Sequence, residues 1–183
     1  MPGAGKTYVG DYFAEKGYHF VRFGQITLDE IKKQNLEPTE ANERKIREGF
    51  RKKYGMAAFA ILNLPKFKKL LKKGNVIADG LYSWAEYKFL KGLFGNKIYL
   101  ISVFAPPELR YVRISSRILS KKDKSLRNRP FSKEEAKSRD YAEIENMDKG
   151  GPIAMADFTI LNTKDLGFFK KQIKVIYEQI QKQ

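Results

Sequence analysis

Met1-Pro2-Gly3-Ala4-Gly5-Lys6-Thr7 opens the chain, and its reading decides how the rest is understood. Loops that cradle phosphate follow G-x-x-x-x-G-K-[ST], and Gly3 to Thr7 supply the second half of that pattern. Gly3 and Gly5 let the backbone curl so that successive N–H groups converge on phosphate oxygens. Lys6 adds a cation for the β- and γ-phosphates, and the Thr7 hydroxyl is a ligand for Mg²⁺. A helix starting near Thr7 points its positive end at the same anion. The pattern's first glycine falls one residue before Met1, and the buried strand that leads into such loops falls before that. Either Met1 is an internal methionine with the strand upstream, or the strand has been lost; the first is the expectation.

The composition narrows the field. At 183 residues the chain is read as one domain, long enough for a sizeable core. Its 36 Lys and Arg against 21 Asp and Glu leave a net charge of +15, which suits nucleotides, phosphorylated coenzymes or nucleic acid, although many of the lysines need only be solvated. With no cysteine there is neither a disulfide framework nor a thiolate metal site. No apolar run approaches the ~20 residues that span a bilayer, and no basic leader precedes one, so a soluble cytoplasmic protein without membrane contact is expected.

Along the chain, helical periodicity over Thr7–Lys16 ends at Gly17, and His19–Phe23 reads as a strand. Helices are predicted at Leu28–Asn35, at Thr39–Tyr54 with Thr39 as N-cap, and at Met56–Lys73, where Pro65 is expected to kink or break the element. Asn75–Asp79 is a short strand ending on a carboxylate. Ser83 to Glu86 forms a capping box for a helix reaching Phe94. A strand at Lys97–Phe104 and a helix at Glu108–Ser120 follow. A second capping box at Ser132–Glu135 opens a helix to Asn146. Asp157–Leu161 and Leu166–Gln181 close the chain as strand and helix. Strands alternating with helices predict a parallel sheet covered on both faces, with ligands at the strands' carboxyl ends, where Gly24, Asp79, Ala105 and Asn162 lie.

Asp79 stands where an acid can hold Mg²⁺ or take a proton from an attacking hydroxyl; it would equally serve as a turn aspartate before Gly80. Arg113 and Arg117, four apart, share a helix face, and Arg127, Arg129 and Arg139 follow. Phosphoryl transfer depends on cations placed around the migrating group, so this basic segment, about residues 121–131, reads as a lid or, more simply, as an exposed loop. Arg44, Arg47 and Arg51 form either an acceptor phosphate site or an exposed helix face. His19 reads as core, and Trp84, Tyr87 and Leu90 as a packing stripe.

On Met1–Thr7, Leu36–Thr39, Ile77–Gly80, Ala105-Pro106 with Arg113 and Arg117, Arg139-Asp140 and Ala156–Asn162, the chain resembles the nucleoside-monophosphate-kinase branch of P-loop kinases. It looks most like dephospho-CoA kinases and a related archaeal-type group. The resemblance implies a P-loop three-layer α/β sandwich with a mostly parallel sheet, helices on both faces and an Arg-rich lid. It implies ATP and Mg²⁺ as well. Gly3, Ala4, Gly5, Lys6 and Thr7 would hold phosphate and Thr7 and Asp79 the metal. Arg113 and Arg117 would line the phosphates, with Arg129 and Arg139 on the lid side and Asn162 near the adenine. The chain departs from the pattern at Gln25, where those relatives carry an aspartate, at Leu28 in place of an arginine, and at Tyr82-Ser83 in place of Pro-Arg. The expected activity is transfer of the γ-phosphoryl group to a small nucleotide-like acceptor, dephospho-CoA first and nucleoside monophosphates next. A nucleotide- or RNA-binding module without turnover is the lesser alternative.

Overall fold

Four short apolar segments become strands in the computed structural model, which describes residues 1–118 and 130–182. β1 (His19–Arg22) pairs in parallel with β2 (Val76–Asp79), and β3 (Ile101–Phe104) pairs in parallel with β4 (Phe158–Leu161). Parallel neighbours need long crossovers, and helices supply them. α1 (Lys6–Glu15) precedes β1. α2 (Gln25–Lys33), α3 (Glu40–Tyr54) and α4 (Ala58–Leu71) connect β1 to β2, and α5 (Trp84–Phe94) leads on to β3. α6 (Pro107–Ser115), α7 (Lys133–Glu145) and α8 (Gly150–Ala154) lie between β3 and β4, and α9 (Leu166–Gln181) follows.

The alternation along β2 shows why helices cover both faces. Val76 packs into a cluster with Val21, Phe23, Phe59, Phe67 and Leu90, built from β1, α4 and α5. Its neighbour Ile77 points the other way, against Val9, Phe13, Phe169 and Ile173 of α1 and α9. A period of two across a sheet with apolar residues on each side is the pattern of a doubly covered α/β layer. The strands form two parallel pairs, and no ladder joins β2 to β3 among the described residues. Ile77 of β2 and Ile101 of β3 nevertheless pack against one cluster, so the pairs share a core.

Local chemistry fixes the helix ends. The Thr39 hydroxyl accepts from Asn42 N–H at 3.3 Å, and complete capping boxes start α5 (Ser83 with Glu86) and α7 (Ser132 with Glu135). Asp165 caps α9 by accepting from Phe168 N–H at 2.9 Å. α4 is not broken at Pro65 but runs through it as one element. Burial of Phe59, Ala60, Asn63 and Phe67 along one face outweighs the single backbone donor that proline lacks. β3 is shorter than Lys97–Phe104, because Gly95–Lys97 forms a 3₁₀ turn and Leu100 N–H donates to the Asp157 carboxylate at 2.6 Å.

α5 and α8 meet through Trp84. Its ring stacks on Tyr87 at 5.0 Å, its backbone N–H donates to Met147 O at 3.2 Å, and Gly151 lies so close that a Cβ there would sit 2.8 Å from the indole.

Candidate functional site

The loop before α1 has the conformation that its glycines permit. Gly3 and Gly5 sit at φ +74° and +106°, a region that residues with a Cβ seldom enter. The loop is also pressed against its surroundings. A Cβ on Gly3 would come within 2.7 Å of the Arg110 carbonyl, and one on Gly5 within 2.6 Å of Asn162 Nδ2. α1 begins at Lys6 with no acid in its first turn, so its positive end is left for a ligand. Ala4 is buried beneath the loop, and its carbonyl accepts from Asn162 Nδ2 at 2.9 Å.

Gly3, Gly5, Lys6, Thr7 and Asp79 line one cavity of about 750 Å³ at the carboxyl ends of β1 and β2. Arg117, just after α6, and Arg139, on α7, reach the same cavity. Lys6 Nζ donates to the Met1 carbonyl at 2.8 Å. Burial and then Lys149 lower its pKa, while Asp79 and Glu143 oppose them. Burial and Arg139 likewise lower the pKa of Arg117. Arg139 lies over the Phe131 ring at 4.7 Å, and neither guanidinium has a carboxylate partner among the described residues.

Arg113 and Asn162 stand elsewhere. Arg113 donates to Asn162 O at 3.0 Å and to its Oδ1 at 3.3 Å, while Asn162 in turn holds Ala4. The pair therefore ties the end of β4 to the phosphate loop, and neither residue lines the cavity. Arg127, Arg129 and most of the expected lid lie outside the described residues. Arg44, Arg47 and Arg51 all line the cavity, and Arg47 is bound there by Glu40 at 2.5 Å and by Glu43 at 3.1 Å. Gln25 turns its amide along α2 to Asp29 at 3.0 Å, and Leu28 lines the cavity.

Sequence reasoning gave no role to Glu143 or Lys149 of the cavity. Glu143 and Lys149 form a buried ion pair on its wall, with Lys149 Nζ 4.9 Å above the Tyr82 ring. Burial would raise the Glu143 carboxyl, but Lys149, followed by Lys6, holds it below the ordinary range. Tyr82 is pushed up to about 12, chiefly by burial and then by Glu143 and Asp79. Glu143 lies four residues after Arg139, and that helical spacing was the available signal. Lys149 sits in an irregular turn after Asp148 (φ +50°), and carries no periodic signal.

Residues 1–146 match the family described as an AAA domain, a P-loop NTPase-like unit. The chain belongs to this AAA-domain family. The UPF0200 protein of Thermococcus gammatolerans is 32% identical over 182 residues, covering 98% of this chain and 92% of its own. That of Pyrococcus abyssi is 34% identical over 98% of this chain and 93% of its own. A UPF0200/UPF0201 protein of Archaeoglobus fulgidus is 33% identical over 99% of this chain, which spans 54% of that longer relative. The chain is thereby also a UPF0200 family member. The fold is the expected P-loop α/β sandwich. No helix among the described residues is long and apolar enough to cross a membrane.

Proposed function

We propose that this chain is an ATP-dependent phosphotransferase acting on a small nucleotide-like acceptor, with dephospho-CoA the best single candidate and nucleoside monophosphates next. One observation carries the reading. The Gly3–Thr7 loop, Asp79, Arg117 and Arg139 line the same cavity, and neither arginine has a carboxylate partner among the described residues. Such a set matches what phosphoryl transfer requires, namely positioning and positive charge around the migrating group.

In this reading the loop N–H groups and Lys6 hold the β- and γ-phosphates of ATP. Arg117 and Arg139 neutralise charge on the transferred group, and Arg129 is a further lid-side candidate. Arg113 and Asn162 keep the loop in place. The Thr7 hydroxyl and Asp79 carboxylate are hard oxygen donors on one cavity wall. Among the described residues no group of three or more His, Cys, Asp or Glu side chains could hold a metal ion. One or two protein oxygens, completed by phosphate and water, suit Mg²⁺. When bound, Mg²⁺ supplies charge neutralisation between the β- and γ-phosphates. A bond forms between the acceptor oxygen and Pγ while the bond from Pγ to the departing ADP oxygen breaks. In this reading Asp79, which lines the cavity, takes the proton of an attacking hydroxyl.

The test is ADP release from Mg-ATP across dephospho-CoA and the four nucleoside monophosphates, with Lys6→Ala alongside. Acceptor-dependent release that Lys6→Ala lowers at least 100-fold, about 2.7 kcal/mol of barrier, supports the reading. Turnover retained in the variant removes Lys6 from its role. A folded, ATP-binding protein with no acceptor dependence favours a binding module instead.

A further inference from the structure

The end of the molecule opposite the cavity carries positive charge that the fold does not require. α4 starts beside the cavity, which Met56 and Phe59 line, and runs to the amino end of β2. Lys66, Lys68 and Lys69 lie in its last two turns, Lys72 is its C-cap and Lys73 follows. All five are exposed, whereas Phe67 between them is buried and Leu70 packs into the same cluster. α5 runs the same way, and the 3₁₀ turn after it adds Lys97, also exposed. None of the six lines the cavity, and none forms an ion pair with a described residue.

Little negative charge accompanies them. Between Glu48 and Glu108 the acids are Asp79, which lines the cavity, and Glu86, which is buried. The strand starts bring only Glu15, next to Lys16, and Asp157, which accepts from Leu100 N–H. A helix C-terminus welcomes a cation or two, and that accounts for part of the cluster. It does not account for Lys68 with Lys72 and Lys69 with Lys73, like charges four apart that oppose the helix.

We propose that this face binds the phosphate backbone of a nucleic-acid duplex without reading its sequence. Lysines meet phosphates as point charges and lack the planar fork that recognises a base edge. Lys66 to Lys73 span about 10 Å along α4, and a duplex presents a charge every ~1.7 Å, so several phosphates lie within reach. A single strand is held by stacking its bases on aromatic rings, and the exposed large apolar side chains of residues 57–103 are Leu71 and Leu93. A bilayer surface takes up a helix by its apolar side, but that side of α4 is spent on the core. Because the face and the cavity share no residue, duplex and nucleotide bind together. The proposal is independent of the kinase reading.

Fluorescence anisotropy tests it with a labelled RNA duplex, the matching DNA duplex and one of their single strands, from about 50 to about 200 mM salt. At least one duplex is expected to bind more tightly than the single strand, and the tighter of the two tells RNA from DNA. The logarithm of its affinity should fall against the logarithm of salt with a slope of about −3 to −5. Lys68→Gln, Lys69→Gln, Lys72→Gln and Lys73→Gln combined should weaken binding at least tenfold and flatten the slope by about 2 to 4. Lys32→Gln, Lys33→Gln, Lys170→Gln and Lys171→Gln combined remove the same charge from exposed positions on α2 and α9, and should cost less than about threefold. Melting temperature and Mg-ATP affinity should hold in both variants, so that the loss belongs to the face. Equal losses in the two variants would assign binding to net charge alone and overturn the proposal. So would a preference for the single strand, or duplexes left unbound at the lowest salt while phosphatidylserine vesicles bind through the same lysines.

Discussion

Asp140→Ala is the substitution whose cost the geometry defines most sharply. Asp140 and Arg110 form a bidentate ion pair between α6 and α7, with both side chains 5% exposed. Tyr111 O–H donates to the same carboxylate at 3.0 Å. The guanidinium also donates to Ala105 O at 3.0 Å and to Pro2 O at 3.1 Å, so it is fixed in place and cannot swing to water. Removing the carboxylate strands a buried cation and a tyrosine hydroxyl. Breaking such a pair costs about 3–5 kcal/mol, a large part of a total near 5–15 kcal/mol. For a chain of this size that is a drop of roughly 6–20 °C in melting temperature. Urea titration followed by circular dichroism reads it as a lower midpoint at unchanged slope. The pair Arg110→Met with Asp140→Leu should recover most of the loss, because the penalty belongs to the unpaired charge. A loss below about 1 kcal/mol in Asp140→Ala, or a double variant worse than the single, refutes this account.

Two further outcomes follow from geometry already described. Gly5→Ala meets Asn162 Nδ2 at 2.6 Å with φ at +106°, so it should displace Asn162 and weaken Mg-ATP binding at least tenfold by calorimetry; unchanged affinity would show that the loop adapts. Glu86 is fully buried, and burial pushes its carboxyl up to about 7, against backbone donation from Tyr82 and then attraction by Arg51. A raised folded pKa means stability that is complete below about 4.5 and lost as pH rises through about 7. Relative to wild type, Glu86→Gln should therefore gain up to about 3 kcal/mol between pH 4.5 and 8 in urea midpoints, and parallel pH profiles would refute it.

Much of this was legible in the residues themselves, and the reasons are local. Thr39, Ser83 with Glu86, and Ser132 with Glu135 announce helix starts because the capping hydrogen bonds involve residues only three apart. Gly5-Lys6-Thr7 announces the phosphate loop because the requirement is written in consecutive residues. What stayed hidden depends on distant contacts. That α4 continues across Pro65 is decided by the cluster it enters with β1 and α5. The different fates of Arg47 and Arg51 turn on Glu40 and Met147, the second of them far along the chain. The Glu143–Lys149 pair joins a helix to an irregular turn, where no period exists to read.

Trp84 gives the molecule a built-in optical label. It is the only tryptophan in the chain, so its emission is free of overlapping indole signals. The ring is stacked on Tyr87 and wedged against Gly151, and the residue's backbone N–H is bonded to the carbonyl of Met147. Met147 in turn touches Arg51 and lies two residues before Lys149. The residue that carries the fluorophore is therefore tied through its backbone to the turn that borders the cavity, and a change in emission on ligand addition is the expected readout of site occupancy in the native chain.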